Sequence, residues 1–301
     1  MADDQGAGAP TAPSPAHSVA GAVAELGAAL ERAGVPQARA EARDMVAAML
    51  DVPRFWPSLN PDAAVEPELW ERARRAAGLR ARGAPFAYAV GRAAFRHLTL
   101  RVDERVLIPR QETEMLIELV LGDAAASGGV AVDVGTGSGA IALSLATEGR
   151  FDRVVASDVS LGALAVARWN ADALASRLRC PVELRHGSLL APLAGVRARV
   201  LVSNPPYIAA PEAAALPPSV RDWEPPLALF SGADGLDATR AIVAGAPDLL
   251  EPGGLLALET DERRAGRVAE LARADARFHD VRVLPDLTGR DRFVAARRSA
   301  R

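Results

Sequence analysis

Lysine is absent: all 35 basic residues of the 301-residue chain are arginine. Beside the heavy alanine content, that lack points to a GC-rich coding sequence more than to a function. Cysteine is nearly absent too. The lone Cys180, in Arg179-Cys180-Pro181, excludes an internal disulfide and a metal cluster built around it. So low a count fits a reducing compartment, and a cytoplasmic location is expected. No unbroken run of about 20 apolar residues exists, so a membrane-spanning helix is excluded although 50% of the residues are hydrophobic. The first 17 residues lack the basic start and apolar stretch of a secretory signal; rich in Ala, Gly, Pro, Asp and Ser, they predict a disordered tail over residues 1–17.

Charge of one sign is also lacking, since the formal net charge is only −3. The charge is unevenly placed: residues 71–110 hold ten arginines against three acids. Such a surplus steers an acidic partner or RNA, or it is no more than the solvated faces of helices and loops; both readings stand at this point.

Residues 18–82 carry helical periodicity. Val19, Val23, Leu26 and Leu30 recur at spacings of three and four, and Gly34-Val35-Pro36 ends that helix. Ala42, Met45, Val46 and Met49 share one face of a second helix over 38–50. Pro53, Pro57 and Pro61 mark a loop, and a third helix is predicted over 67–82. With no strand signal and no chemical cluster, this segment predicts a small helical domain for recognition of a partner or substrate. In the linker 83–110, Phe95, Leu98, Leu100, Val102 and residues 106–108 predict a β-hairpin with its turn at Asp103-Glu104. Pro109-Arg110-Gln111-Glu112-Thr113-Glu114 then leads into a helix over 115–121.

From residue 129 onward, strand candidates (130–134, 154–157, 182–184, 200–203, 255–259) alternate with helix candidates (140–147, 162–174, 238–250, 264–274). That alternation predicts an α/β domain over 111–301, with a parallel sheet covered on both faces. Residues 281–284 and 292–296, joined by a short turn, predict an antiparallel last strand.

Two loops in this domain carry chemistry. Strand 130–134 runs into Gly135-Thr136-Gly137-Ser138-Gly139 and directly into a helix. Glycines there permit a tight turn and a close backbone approach to a ligand. The spacing differs from the dinucleotide G-x-G-x-x-G. Asp133 precedes the loop, and Asp158 ends the next strand, where a carboxylate grips a ribose diol. The set suits an adenosine-bearing ligand. An acid ahead of the loop favours S-adenosyl-L-methionine, whose amino-acid end is cationic, over a pyrophosphate cofactor.

The second loop is Asn204-Pro205-Pro206-Tyr207, at the end of strand 200–203. An amide nitrogen is a poor nucleophile because its lone pair is delocalised. The Asn204 side-chain carbonyl and the Pro205 backbone carbonyl supply two acceptors that hold its N–H bonds in a fixed direction. The paired prolines stiffen the loop, and Tyr207, one of two tyrosines in the chain, packs on the planar group. Neither a metal nor a covalent nucleophile is required, because the methyl group of the donor is already activated.

Taken together these residues resemble the release-factor glutamine N5-methyltransferase family (PrmC/HemK). The resemblance is carried by 95–114 (FRHLTLRVDERVLIPRQETE), 133–142 (DVGTGSGAIA), 202–208 (VSNPPYI) and 220–234 (VRDWEPPLALFSGAD), within roughly 35–297. It implies a Rossmann-like seven-stranded methyltransferase sheet and a small N-terminal helical domain. It further implies transfer of a methyl group from S-adenosyl-L-methionine to the glutamine of the Gly-Gly-Gln motif of class 1 peptide chain release factors. On that pattern Asp133, residues 135–139, Asp158, Ser188, Leu189 and Asn204 contact the cofactor, and Asn204, Pro205, Pro206 and Tyr207 hold the glutamine. Arg110, Thr113 and Glu114 shape the pocket or only begin a helix, and residues 220–226 cover the site. The chain departs from the family at Ser188, where an Asp is usual, and at Thr260-Asp261 and Arg264, where the family often has Ile-Gly and a Gln. The Asn-Pro-Pro-Tyr loop also occurs in DNA and RNA adenine N6-methyltransferases, which makes base methylation the rival reading. A cofactor-binding scaffold without turnover is the third. Neither stable nucleic-acid binding nor membrane association is expected.

Overall fold

The computed structural model describes residues 17–300 and divides into two compact units between Val90 and Gly91. Residues 1–16, most of the expected tail, lie outside the described residues.

The first unit is built on α1 (Val19–Arg32), α2 (Ala38–Leu50) and α3 (Pro67–Ala81). The Ser18 hydroxyl starts α1 by accepting from the Gly21 N–H at 3.1 Å, which satisfies one of the helix's orphan donors. Pro67 opens α3 at a position where no N–H is needed. Val19, Leu26, Leu30, Ala42, Met45, Val46, Trp70 and Ala73 form one buried cluster, with Val23 and Met49 at its half-buried edge. The proline loop holds a single helical turn, Trp56–Leu59. His17–Ser18 pairs with Ala64–Val65, and the His17 ring stacks on Trp70 at 4.3 Å. His17 is thus part of the fold rather than of the tail. Strands of two residues leave no alternation to detect.

The expected linker 83–110 is shared between the units. Ala89 and Val90, at the end of the turn Phe86–Val90, join the first core, whereas Phe95, Leu98 and Leu100 join the second.

The second unit opens with an antiparallel hairpin of β1 (Arg92–Phe95) and β2 (Leu98–Arg101). Its turn is Arg96-His97, not Asp103-Glu104 as the residue types suggest. Arg96 takes a left-handed φ of 51°, held by its guanidinium against Glu118 and Glu148 at 2.7 Å each. Those partners lie outside the hairpin, so the local pattern does not disclose them. Helix α4 (Gln111–Leu121) also starts earlier than expected, with Glu112 and Glu114 in its first turn. Negative charge there complements the helix dipole, and the shift brings Thr113 onto the helix.

Seven strands follow, the first two being β3 (Val130–Val134) and β4 (Arg153–Asp158), with β5 (Val182–His186) and β6 (Ala198–Ser203) after them. The last three are β7 (Leu250–Glu259), β8 (Phe278–Pro285) and β9 (Asp291–Arg298). Helices α5 (Ala140–Glu148), α6 (Leu161–Ala173), α7 (Asp237–Leu249) and α8 (Ala265–Ala274) connect them. The sheet order is β8-β9-β7-β6-β3-β4-β5, and β9 alone runs antiparallel, between β7 and β8. Alternate strand residues feed opposite faces. Ala131 packs with Ile117 and Ile141 on one side, and Val132 with Ile242 and Val268 on the other. Such two-sided burial is what a parallel sheet requires. The chain moves outward from β3 through β4 and β5, then returns to lay β6 on the other side of β3. The carboxyl ends of β3 and β6 are therefore a topological switch point, where open α/β sheets place ligands.

Among the described residues no helix is long and apolar enough to cross a membrane. The arginine surplus of residues 71–110 is split between the units, and much of it is engaged. Arg74 meets Glu71, Arg80 meets Glu41, Arg96 meets Glu118 and Glu148, Arg105 meets Asp103, and Arg110 meets Glu224.

Candidate active site

A cavity of about 470 Å³ opens at the switch point, within the size range of small-molecule sites. Its wall joins the two loops singled out in the sequence: Gly135, Gly137 and Asp158 on one side, Asn204 and Pro206 on the other, with Ser188 and Leu189 between.

The glycine loop is shaped by backbone alone. Gly135, Gly137 and Gly139 take φ of 75°, 55° and 85°, the left-handed region that costs other L-residues about 1–2 kcal/mol each. A Cβ at Gly135 or Gly137 would meet nothing within 4 Å, so these two positions leave open room along the loop. Asp158 secures the loop from the neighbouring strand: Oδ2 accepts from Gly137 N–H at 2.9 Å and Oδ1 from Ser160 N–H at 2.8 Å. Each carboxylate oxygen keeps capacity for a further donor, and the group faces the cavity.

Asp133 is placed differently from the expectation. It is fully buried and off the cavity wall. Its Oδ2 accepts from Thr136 Oγ1 at 2.6 Å and from Ala142 N–H at 3.1 Å, so it braces the loop from beneath. Burial above all pushes its carboxyl up to about 7. Thr136 and Ser138 are buried and Gly139 packs on Leu143, none of them on the cavity wall. In this loop the ligand-facing surface is glycine, because the side chains between the glycines turn into the core.

The asparagine loop is held by side chains. Ser203 donates to the Val134 carbonyl at 2.6 Å, tying the end of β6 to the end of β3 and so one loop to the other. Asn204 Nδ2 donates to Thr113 Oγ1 at 3.0 Å, and Thr113 Oγ1 donates to Glu259 Oε2 at 2.7 Å. Among the described residues nothing donates to Asn204 Oδ1. Pro205 is buried and Tyr207 half-buried, both outside the cavity lining. Burial, then the charge of Glu259, pushes the Tyr207 hydroxyl up to about 12, so it stays protonated. Beyond it, Ile208 bridges to Phe230, and Gly235 fits because a Cβ would come within 2.3 Å of the Tyr207 carbonyl.

Arg110 and Glu114 take different roles from one another. Arg110 reaches Glu224 at 2.6 Å, and the Glu224 side chain is 1% exposed. The pair pins the segment 220–226, whose Pro225 lines the cavity. Glu114 instead accepts from Arg96 N–H at 3.1 Å, which commits it to the hairpin turn. Arg264, where the family often has Gln, is buried and bonds Asp261 at 2.5 Å, Glu212 at 2.9 Å and the Asp234 carbonyl at 2.8 Å. It anchors the loops after Tyr207, so the departure is structurally filled. Sequence reasoning missed Ser203, Glu259 and Glu224 as parts of the site. Glu224 carries a signal as one of two acids within VRDWEPP, and Glu259 as the first residue of Glu259-Thr260-Asp261, where the family often has Glu-Ile-Gly. Among the described residues no cluster of His, Cys, Asp or Glu could hold a metal ion.

Family models match both units: a PrmC N-terminal domain over residues 22–91 and a methyltransferase small domain over residues 111–216. The release factor glutamine methyltransferase of Moorella thermoacetica is 45% identical over 281 residues, 91% of this chain and 97% of that protein. The chain belongs to the release factor glutamine methyltransferase family. That of Cereibacter sphaeroides is 44% identical over 89% of this chain and 94% of its own. Among solved structures, the hMettl16 catalytic domain in complex with MAT2A 3'UTR hairpin 1 superposes with a TM-score of 0.54 at 18% identity, covering 86% of this chain and 91% of that one. At that identity the likeness is one of fold.

Proposed function

We propose that this family member transfers a methyl group from S-adenosyl-L-methionine to the side-chain amide of the glutamine in the Gly-Gly-Gln motif of class 1 peptide chain release factors, in the cytoplasm. The observation that carries the reading is Asn204 on the cavity wall, its Nδ2 committed to Thr113 and its oxygen without a protein donor. The residues present suit the cofactor: open room at two glycines, a carboxylate with spare acceptor capacity, and the apolar Leu189, Val159 and Leu227 on the same cavity. The bound cofactor supplies an electrophilic methyl on a sulfonium. Asn204 Oδ1 and the Pro205 carbonyl accept hydrogen bonds from the two amide N–H groups and aim the nitrogen, and Tyr207 fixes the tilt of the amide plane. Asp158 binds the ribose hydroxyls, and Ser188 and Leu189 flank the base. Catalysis is then mostly positioning in a dry site. The first unit supplies further surface for the protein substrate.

Incubation with isotopically methyl-labelled cofactor and a full-length release factor tests this by mass spectrometry. One label on the Gly-Gly-Gln glutamine is expected. Label on adenine of DNA or RNA, with a steep salt dependence, would replace this reading with base methylation.

A further inference from the structure

The orientation of the Asn204 amide is decided three residues deep. Three elements that are remote in sequence converge on it: Asn204 follows β6, Thr113 lies in the first turn of α4, and Glu259 ends β7. Thr113 is 5% exposed and Glu259 1%, so water is largely excluded as a substitute partner. A hydroxyl has one proton to give. With Glu259 ionised, that proton goes to Oε2, and Thr113 can only accept from the asparagine. Nδ2 is then obliged to face Thr113, and Oδ1 is left for a substrate N–H.

We propose that Thr113 and Glu259 are positioning residues that lock the Asn204 amide with its oxygen available to the substrate. The inference rests on the function proposed above and names what sets its acceptor polarity. A protonated Glu259 can donate to Thr113 instead. The Thr113 proton is then free to bond Asn204 Oδ1, and the amide turns its NH2 toward the substrate's NH2, donor against donor. The charged and titratable neighbours of Glu259 are Arg292 from β9, Arg110 ahead of α4, Glu112 from α4 and Tyr207 from the asparagine loop. Burial is the largest influence and raises the carboxyl; Thr113, Arg292 and Arg110 oppose it, Glu112 adds to it, and the result is about 7.

The test separates this relay from a merely structural role. Thr113→Val, which keeps the shape and loses the hydroxyl, should lower kcat on a full-length release factor at least about tenfold. Its cofactor Kd by calorimetry should stay within several-fold, and Thr113→Ser should recover most of the lost turnover. In the unaltered protein kcat should fall as pH drops below about 7, and Glu259→Gln should lack that acidic limb. Turnover of Thr113→Val equal to the parent, or an unchanged acidic limb in Glu259→Gln, overturns the proposal. The orientation can also be read without any substrate, by NMR of the full chain with its cofactor at pH above about 8. A nuclear Overhauser contact between the Asn204 side-chain NH2 and the Thr113 methyl is expected, and its absence overturns the relay whatever is methylated. Label on adenine alone, with that contact present, sinks the function and leaves the relay standing.

Discussion

The two loops that face each other across the cavity solve the same problem in different ways. The glycine loop presents backbone: its shape comes from three left-handed glycines, its anchoring from carboxylates below and beside it, and its intervening side chains are buried. The asparagine loop presents a side chain whose useful atom depends on which way an amide is turned, and that depends on Thr113 and Glu259. A backbone cradle degrades gradually when one contact is lost. A polarity-set acceptor fails at a single atom.

The contrast is sharpest in Asn204→Ala. Turnover should fall on the order of 10²-fold or more, the scale of losing one preorganised partner in the transition state, with the cofactor Kd changed by no more than several-fold. Near-normal turnover would break the contrast from the asparagine side. Asp158→Ala should act the other way round. The cofactor Kd should rise on the order of tenfold, about the loss of one charge-assisted hydrogen bond, while kcat at saturating cofactor changes less. Unchanged binding in a titration would exclude a ribose contact. The smallest effect is expected of Asp133→Asn, which keeps an acceptor for Thr136 and Ala142. The Asp133 carboxyl is raised from 3.8 to about 7 in the folded protein, so folding favours its protonated form. Its contribution to stability is complete below about 3.8 and is lost as pH climbs toward about 7. Tm of the parent should therefore fall across that window, and the variant's slope should be shallower. Glu259, raised in the same direction, leaves a residual slope. Identical slopes would remove the strained carboxyl from beneath the glycine loop.

What the sequence disclosed follows the same division. The glycine loop, its flanking strand and helix, Asp158 and the Asn-Pro-Pro-Tyr turn are each contiguous, so spacing and residue type locate them. Expected strand positions agree with β3 and β6, and the antiparallel last strand is present as β9. The relay was not legible because Thr113 and Glu259 are 146 residues apart and Thr113 and Asn204 are 91 apart. Only the return of the chain to β6 beside β3, and the early start of α4, bring them together. The hairpin turn is displaced for a related reason: Arg96 holds its left-handed φ through acids on other helices, whereas Asp103-Glu104 forms a separate turn beyond the hairpin, closed by the Val106 N–H on the Asp103 carbonyl at 3.1 Å. Asp133 lies two residues ahead of the glycines in sequence, but its carboxylate is taken by Thr136 and Ala142 within the core and does not line the cavity.

The most direct measurement is a crystal structure of the protein with S-adenosylhomocysteine and a release factor bearing the Gly-Gly-Gln loop. The glutamine amide nitrogen should lie within hydrogen-bond distance of both Asn204 Oδ1 and the Pro205 carbonyl, with Asn204 Nδ2 still on Thr113. A glutamine seated away from residues 204–207, or an Asn204 amide turned the other way, would contradict the account.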